Sequence, residues 1–293
     1  MTFTDQLLQF VLSGVMVGSI YALIALGFTM VFNATEAINF AQGEFVMLGG
    51  MSAVAFYGAR VPLPLACLLA VLLVTAVGLL FERFTLAPLK RVSVMNLIII
   101  TIGGSIFLKG SAMLTWGKDA ASLPSFSGDT PIRVLGATLL PQAIWILGTS
   151  LVVVAAVRLF FDHAAVGKAM RAVAANRFAA TLMGIDVKLM VACSFALSAA
   201  VGAVAGIIIT PVALTAFDRG TILGLKGFSA AILGGIGSGP GAVLGGLLLG
   251  VLEAMGAGFV SSGYKDAIAF LLLILMLLVR PQGLCGARGS RKA

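Results

Sequence analysis

The sequence predicts an all-α fold: a polytopic transmembrane helical bundle of about eight to nine spans, including short broken helices. Three observations point there. Of 293 residues, 60% are hydrophobic and 10% charged, whereas soluble domains keep about a quarter of their residues charged. Mean hydropathy is +1.12. Apolar runs recur along the chain near the ~20 residues that cross a hydrocarbon core, and a helix satisfies its own backbone there. Tail and loops are too short for a soluble domain, so residues 1–293 read as a single transmembrane domain.

The runs fall at 8–32, 44–57, 63–81, 94–116, 141–160, 188–211, 222–237, 240–256 and 264–280. The first lacks a basic leader and is too long for a signal-peptide core, so it is expected to persist as a helix. Runs 44–57 and 222–237 are shorter than a full crossing needs. Basic residues gather in three clusters: Arg83, Lys90 and Arg91; then Arg158 to Lys188; then Arg280 to Lys292. Cytoplasmic loops collect Lys and Arg, which places these clusters and the C-terminus inside. The other loops are near neutral, Lys118 and Arg133 being matched by Asp119 and Asp129, and Asp218 neighbouring Arg219. With the N-terminus outside, an odd number of crossings is required, so 222–237 is counted as a span. The net charge of +8 is thus a topology signal and does not suggest nucleic acid.

Glycine recurs at four-residue spacing, as Gly14/Gly18, Gly202/Gly206, Gly241/Gly245 and Gly246/Gly250. Such pairs let helix backbones approach, and packing within the chain is the expectation. "GEFVMLGG" (Gly43–Gly50) is echoed by "GFSAAILGG" (Gly227–Gly235), one in each short run. Matching short, interrupted segments in two pseudo-repeat halves point to a transport pathway between them. Cys67, Cys193 and Cys285 are scattered, with no metal spacing and no disulfide framework. Gly117-Lys118 and Gly167-Lys168 are followed by Asp119 and Ala169, so no P-loop is present. His163 is the lone histidine, and Ser238 has no base to activate it. No enzyme, metal or cofactor is expected.

Three stretches remain for function. In "INFAQGEFVMLGG" (Ile38–Gly50), preceded by Glu36, the polar Asn39, Gln42 and Glu44 interrupt two apolar runs. A solvated cytoplasmic turn is one reading. The other is a broken helix facing a cavity, the condition under which irregular backbone and ionisable groups are tolerated at membrane depth. "LKGFSAAILGGIGSGPGAVLGG" (Leu225–Gly246) carries Gly234, Gly235, Gly237, Gly239 and Gly241 around Pro240. It reads as a helix end, a tight turn, then a new helix near Pro240. The connector 162–187 is alanine-rich over 164–183, predicting a helix that Gly184 ends. Lys168, Arg171 and Arg177 spread around that helix, so no amphipathic surface anchor is expected. It serves as a solvated connector or as a short rigid helix shown to a cytoplasmic partner.

Taken together, "GSIYALIALGFTMVFNATEAINFAQGEFVMLGG", "GKAMRAVAANRFAATLMGIDV" and "LKGFSAAILGGIGSGPGAVLGGLLLGVLE" resemble the permease subunit of branched-chain amino-acid ABC importers, over essentially the whole chain. The resemblance implies a bacterial inner-membrane protein paired with a second, homologous permease subunit. It also implies two ATP-binding cassette ATPases below and a periplasmic substrate-binding protein above. Gly167, Arg171, Ala172 and Gly184 would then lie in the coupling loop that seats on an ATPase. Asn39, Gln42, Glu44, Gly234, Gly235 and Gly237 would lie along the substrate pathway. Many relatives carry His where this chain has Gln42, which cannot titrate and so argues against a proton role there. Two alternatives stay open: the same architecture carrying urea, short amides or small organic acids, and a proton-coupled secondary transporter using Glu36, Glu44 and Glu253.

Overall fold

A computed structural model describes residues 3–88, 94–128, 130–134, 137–259 and 261–286. Lys90, Arg91, Asp129, Arg288, Arg291 and Lys292, used above to argue topology, lie outside the described residues. The chain forms α1 (Phe3–Thr35), α2 (Gln42–Gly58), α3 (Leu63–Phe81) and α4 (Val94–Trp116). A small hairpin follows, β1 (Ile132–Val134) and β2 (Ala137–Leu139), then α5 (Pro141–His163), α6 (Ala165–Ala175) and α7 (Arg177–Leu182). The second half holds α8 (Val187–Ala213), α9 (Arg219–Gly234), α10 (Gly239–Phe259) and α11 (Lys265–Val279).

Each predicted apolar run is a helix, and among the described residues seven helical segments are long and apolar enough to cross a membrane, the last running from Ser262 to Val279 because a 3-10 turn leads directly into α11. The exceptions are α2, with 17 residues, and α9, with 16. At 1.5 Å per residue each spans only about 25 Å. The hairpin was not predicted; antiparallel pairing of Ile132 with Leu139 makes it, and the Gln9 side chain brackets Thr138 through bonds of 2.9 and 2.7 Å. The connector also differs from expectation. Asn176, with φ −160° and ψ 107°, splits it into two helices and caps the second by accepting from the Ala179 amide. Moreover α6 is amphipathic: Gly167, Met170 and Val173 form one buried face, packed with Phe160, Phe161 and Met190.

Helices α1, α2 and α8 occupy the centre. Leu72, Leu80, Leu151 and Leu278 of the outer helices are exposed, the arrangement a lipid solvent permits. Glycine sets the closest approaches. Gly14 and Gly18 of α1 face Gly250 and Gly246 of α10 so tightly that a Cβ on Gly250 would stand 2.3 Å from Gly18 Cα. The four-residue pairs thus pack helices within this chain.

The two short helices begin side by side and run apart. A Cβ on Gly43 would lie 2.1 Å from the Gly220 carbonyl and 2.8 Å from Gly224 Cα. From there α2 runs alongside α8, with Gln42 at Ser198, Gly49 at Ala203 and Gly50 at Thr210. In the other direction α9 runs alongside α1, with Gly227 at Ile24 and Gly237 at Asn33. Gln42 contacts Gly27, eight residues before α1 ends, about 12 Å of helix inside the bundle. Both helix starts are therefore interior.

A buried charge cluster fixes the far side of α9. Lys226 Nζ lies 2.8 Å from Glu253 Oε1 on α10 and 2.6 Å from Asp266 Oδ1 on α11. Lys265 reaches the same Glu253 oxygen at 3.4 Å, and the Tyr21 hydroxyl of α1 donates to it at 3.2 Å. Four helices thus converge on Glu253. Its side chain is 1% exposed and that of Lys226 6%, whereas that of Asp266 is 57%.

Two outcomes follow for thermal melts of the detergent-purified protein. Gly250→Ala should cost about 1–3 kcal/mol by overpacking, while Gly148→Ala on α5, where a Cβ meets nothing within 4 Å, should be neutral or stabilising by about 0.5–1 kcal/mol. Lys226→Met should cost about 3–5 kcal/mol by stranding Glu253, and Lys226→Met with Glu253→Leu should recover much of it. Asp266→Asn, at an exposed carboxylate, should cost under about 1 kcal/mol.

Candidate functional site

The polar interruption after α1 is a buried helix break. Glu36 adopts φ +58°, the left-handed region, which a non-glycine residue enters at a cost. That residue stops α1; its amide still bonds to Phe32 O at 2.7 Å. Ala37 N donates to Thr35 Oγ1 at 3.2 Å, Phe40 N to Thr101 Oγ1 at 3.2 Å, and Ala41 N to Asn39 Oδ1 at 3.1 Å. Side chains and α4 thereby replace the helical partners the break removes, as a dry interior requires. Only Glu36 of the polar set is exposed; Asn39, Gln42 and Glu44 are 0–1% exposed. The solvated-turn reading is therefore incorrect for those three.

Each buried polar side chain ties the break to a different neighbour. Gln42 Nε2 donates to Ser198 O at 3.2 Å, and the single Ser198 hydroxyl proton is shared between Gln42 Oε1 and Gly27 O. A Cβ on Gly27 would sit 2.1 Å from Gln42 Nε2 and displace that side chain from these bonds. Glu44 Oε1 accepts from Ser105 Oγ of α4 at 2.9 Å and Thr221 Oγ1 of α9 at 3.1 Å. Its Oε2 has no hydrogen-bond partner among the described residues and faces Gly220. The carboxylate sits where the first turns of α2 and α9 meet. Helix N-termini carry partial positive charge, so the Glu44 oxygens are placed to offset both.

Glu44 and Thr221 lead to residues that the sequence reading missed. Thr101, Ser105 and Lys109 recur at four-residue spacing, hence along one face of α4. Thr101 meets Phe40, Ser105 meets Glu44, and Lys109 Nζ lies over the Phe217 ring, 5.8 Å from its centroid. Lys226 was missed too. Both lysines lie inside predicted spans, and a charge within an apolar run was the available signal.

Gly234, Gly235 and Gly237 are not brought to this place. Gly234 packs on Gly241, and Gly235 (φ +101°) lies against Gln282, Gly283 and Gly286. The Gly237 carbonyl accepts from Asn33 Nδ2 at 3.1 Å. These glycines build the turn from α9 to α10 at the opposite end of α9; Gly220, Thr221 and Gly224 stand beside Glu44 instead. Of the connector residues, Gly167 abuts the Phe160 carbonyl, where a Cβ would come within 2.3 Å. Arg171 pairs with Asp162 at 3.0 Å, Ala172 is half-buried on α6, and Gly184 takes φ +81° just after α7. Arg177, read only as a basic residue, donates to the Ala34 carbonyl in the last turn of α1. No group of three metal-ligating side chains occurs among the described residues, and Cys67, Cys193 and Cys285 are free.

Comparison with known proteins gives this arrangement a family. The model for the permease component of branched-chain amino acid transport systems matches residues 10–277. The high-affinity branched-chain amino acid transport system permease protein LivH of Salmonella typhimurium is 36% identical, with 95% of each chain covered. BraD of Pseudomonas aeruginosa, which bears the same description, is 39% identical over the same shares. The ribose import permease protein RbsC of Escherichia coli is a more distant relative, 25% identical over 89% of this chain and 82% of its own. With seven apolar membrane-length helical segments among its described residues, the chain belongs to the family of branched-chain amino acid transport permeases.

Proposed function

We propose that this chain is the membrane-spanning subunit of an ATP-driven importer that carries branched-chain or related amino acids into the cytoplasm by alternating access. It is not itself an enzyme: hydrolysis occurs on two partner ATPases. A second homologous permease completes the pathway, and a periplasmic binding protein delivers the cargo. The chain resides in the inner membrane with α6 and α7 on the cytoplasmic side, as the basic residues around them support.

The observation that carries this reading is the link from connector to break. Phe178, Leu182 and Met183 project from α7 with 74%, 73% and 82% exposure. Three large apolar side chains left in water next to charged residues suit a protein partner, and an ATPase surface is the partner proposed. Behind them Arg177 holds the Ala34 carbonyl, two residues before Glu36 ends α1. A displacement of α7 would thus act on the backbone where α1 stops. Gly167 and Arg171 seat α6 against Phe160 and Asp162 of α5, Ala172 lies half-buried beside them, and Gly184 makes the positive-φ turn that follows α7. Asn39, Gln42 and Glu44 serve the pathway by fixing the break, and Gly234, Gly235 and Gly237 by shaping the turn that ends α9.

The test is the importer reconstituted in liposomes from both permeases, the ATPases and the binding protein. Phe178→Ser with Leu182→Ser should lower ATPase assembly about tenfold or more. Arg177→Ala should leave assembly intact and reduce L-leucine imported per ATP hydrolysed severalfold. Normal assembly in the first variant and normal stoichiometry in the second would refute the coupling route. Accumulation of L-leucine by the permease alone under a proton gradient would favour secondary transport instead.

A further inference from the structure

Lys109 lies inside α4, seven residues before its end at Trp116, about 10 Å along the helix. Its ammonium rests over the Phe217 ring and makes no ion pair among the described residues. The next residue after Phe217, Asp218, is exposed at the start of α9 and makes no side-chain capping bond there. Lys109 and Asp218 both interact through space with the buried Glu44 carboxyl, but neither has a direct ion-pair partner among the described residues. Such charges within a membrane bundle belong on a wet or partner-covered face, because contact with acyl chains is costly. Hydroxyls border them: Ser105 is half-buried one turn below Lys109, and Thr221 is exposed one turn into α9. Apolar surface adjoins as well, since Ile222 and Leu225, exposed by 43% and 37%, follow Asp218 at four and seven residues, along the same face of α9.

We propose that Lys109 and Asp218 form the amino-acid contact of the pathway, Lys109 receiving the cargo's carboxylate and Asp218 its ammonium. The Phe217 ring and the Ile222–Leu225 face meet an aliphatic side chain. Glu44 is excluded from the ammonium role by its burial and by the two hydroxyls already on Oε1. It stands behind this face, its oxygens placed to offset the helix starts. Arg219, exposed beside Asp218, completes the local charges. With Lys109 and Arg219 positive and Asp218 negative, the face offers both signs side by side and suits a zwitterion better than a net ion. This assignment rests on the amino-acid transport reading.

The experiment is equilibrium dialysis of radiolabelled L-leucine against the assembled permease–ATPase complex without binding protein. Lys109→Met should weaken binding about tenfold or more, and Lys109→Arg should stay within about threefold of wild type, since an ion-assisted hydrogen bond is lost in the first and kept in the second. 4-Methylpentanoate should compete on the wild type but not on Lys109→Met. 3-Methylbutylamine should compete on both but not on Asp218→Asn, which tests the site by itself at an exposed position if Lys109→Met fails to assemble. Wild-type binding in both neutralised variants would overturn the assignment. So would the absence of L-leucine binding to a complex that imports it once the binding protein is added. If that complete importer moves no L-leucine, the cargo reading itself falls.

Discussion

The architecture depends on one constraint: backbone amides and carbonyls released inside a membrane need partners from the protein. The segment between α1 and α2 releases several of them on its way from the end of α1 to Gln42, which lies about 12 Å further inside the bundle. It is held by Thr35, Asn39 and the α4 hydroxyl of Thr101, while Gln42 and Glu44 bind α8, α4 and α9. Removing any neighbour would expose a polar gap. The break consequently requires the helices around it, and they meet because of it.

Close backbone approach is the second condition. Gly43 and Gly220 let two helix starts touch, and neither position accepts a Cβ without moving backbone or the Glu44 carboxylate. Two positive helix ends brought this close would repel in a medium of low dielectric. Glu44 answers that repulsion from within the chain. Helix α9 is then held on two sides, by Glu44 through Thr221 and by Glu253 through Lys226. A helix of only 16 residues obtains its position from these contacts.

Much of this was legible in the sequence. Apolar runs located every long helix, and the two short runs marked α2 and α9, because hydropathy and length are local properties. The polar cluster at Asn39–Glu44 revealed the break for the same reason. What the sequence could not show was which part of α9 faces it. The echo between Gly43–Gly50 and Gly227–Gly235 directed attention to the far end of α9, whereas packing sets Gly43 on Gly220 and Gly224. That choice depends on the depth at which α9 begins, a property of the whole bundle. The α6–α7 division turned on Asn176, whose side chain caps a new helix more favourably than it continues an old one. Lys109 and Lys226 were visible as charges in apolar runs; their partners were not, since Phe217 lies in the turn before α9 and Glu253 and Asp266 on other helices.

The charge cluster around Glu253 has a consequence for energetics across a polarised membrane. Lys226 and Lys265 balance Glu253 and Asp266, so the group as a whole carries no net charge. A transmembrane voltage acts on each elementary charge with about 2.3 kcal/mol per 100 mV; on this quartet, moving as a unit, the forces cancel. The cluster can therefore tie α9, α10 and α11 to one another inside the membrane without adding a gating charge of its own.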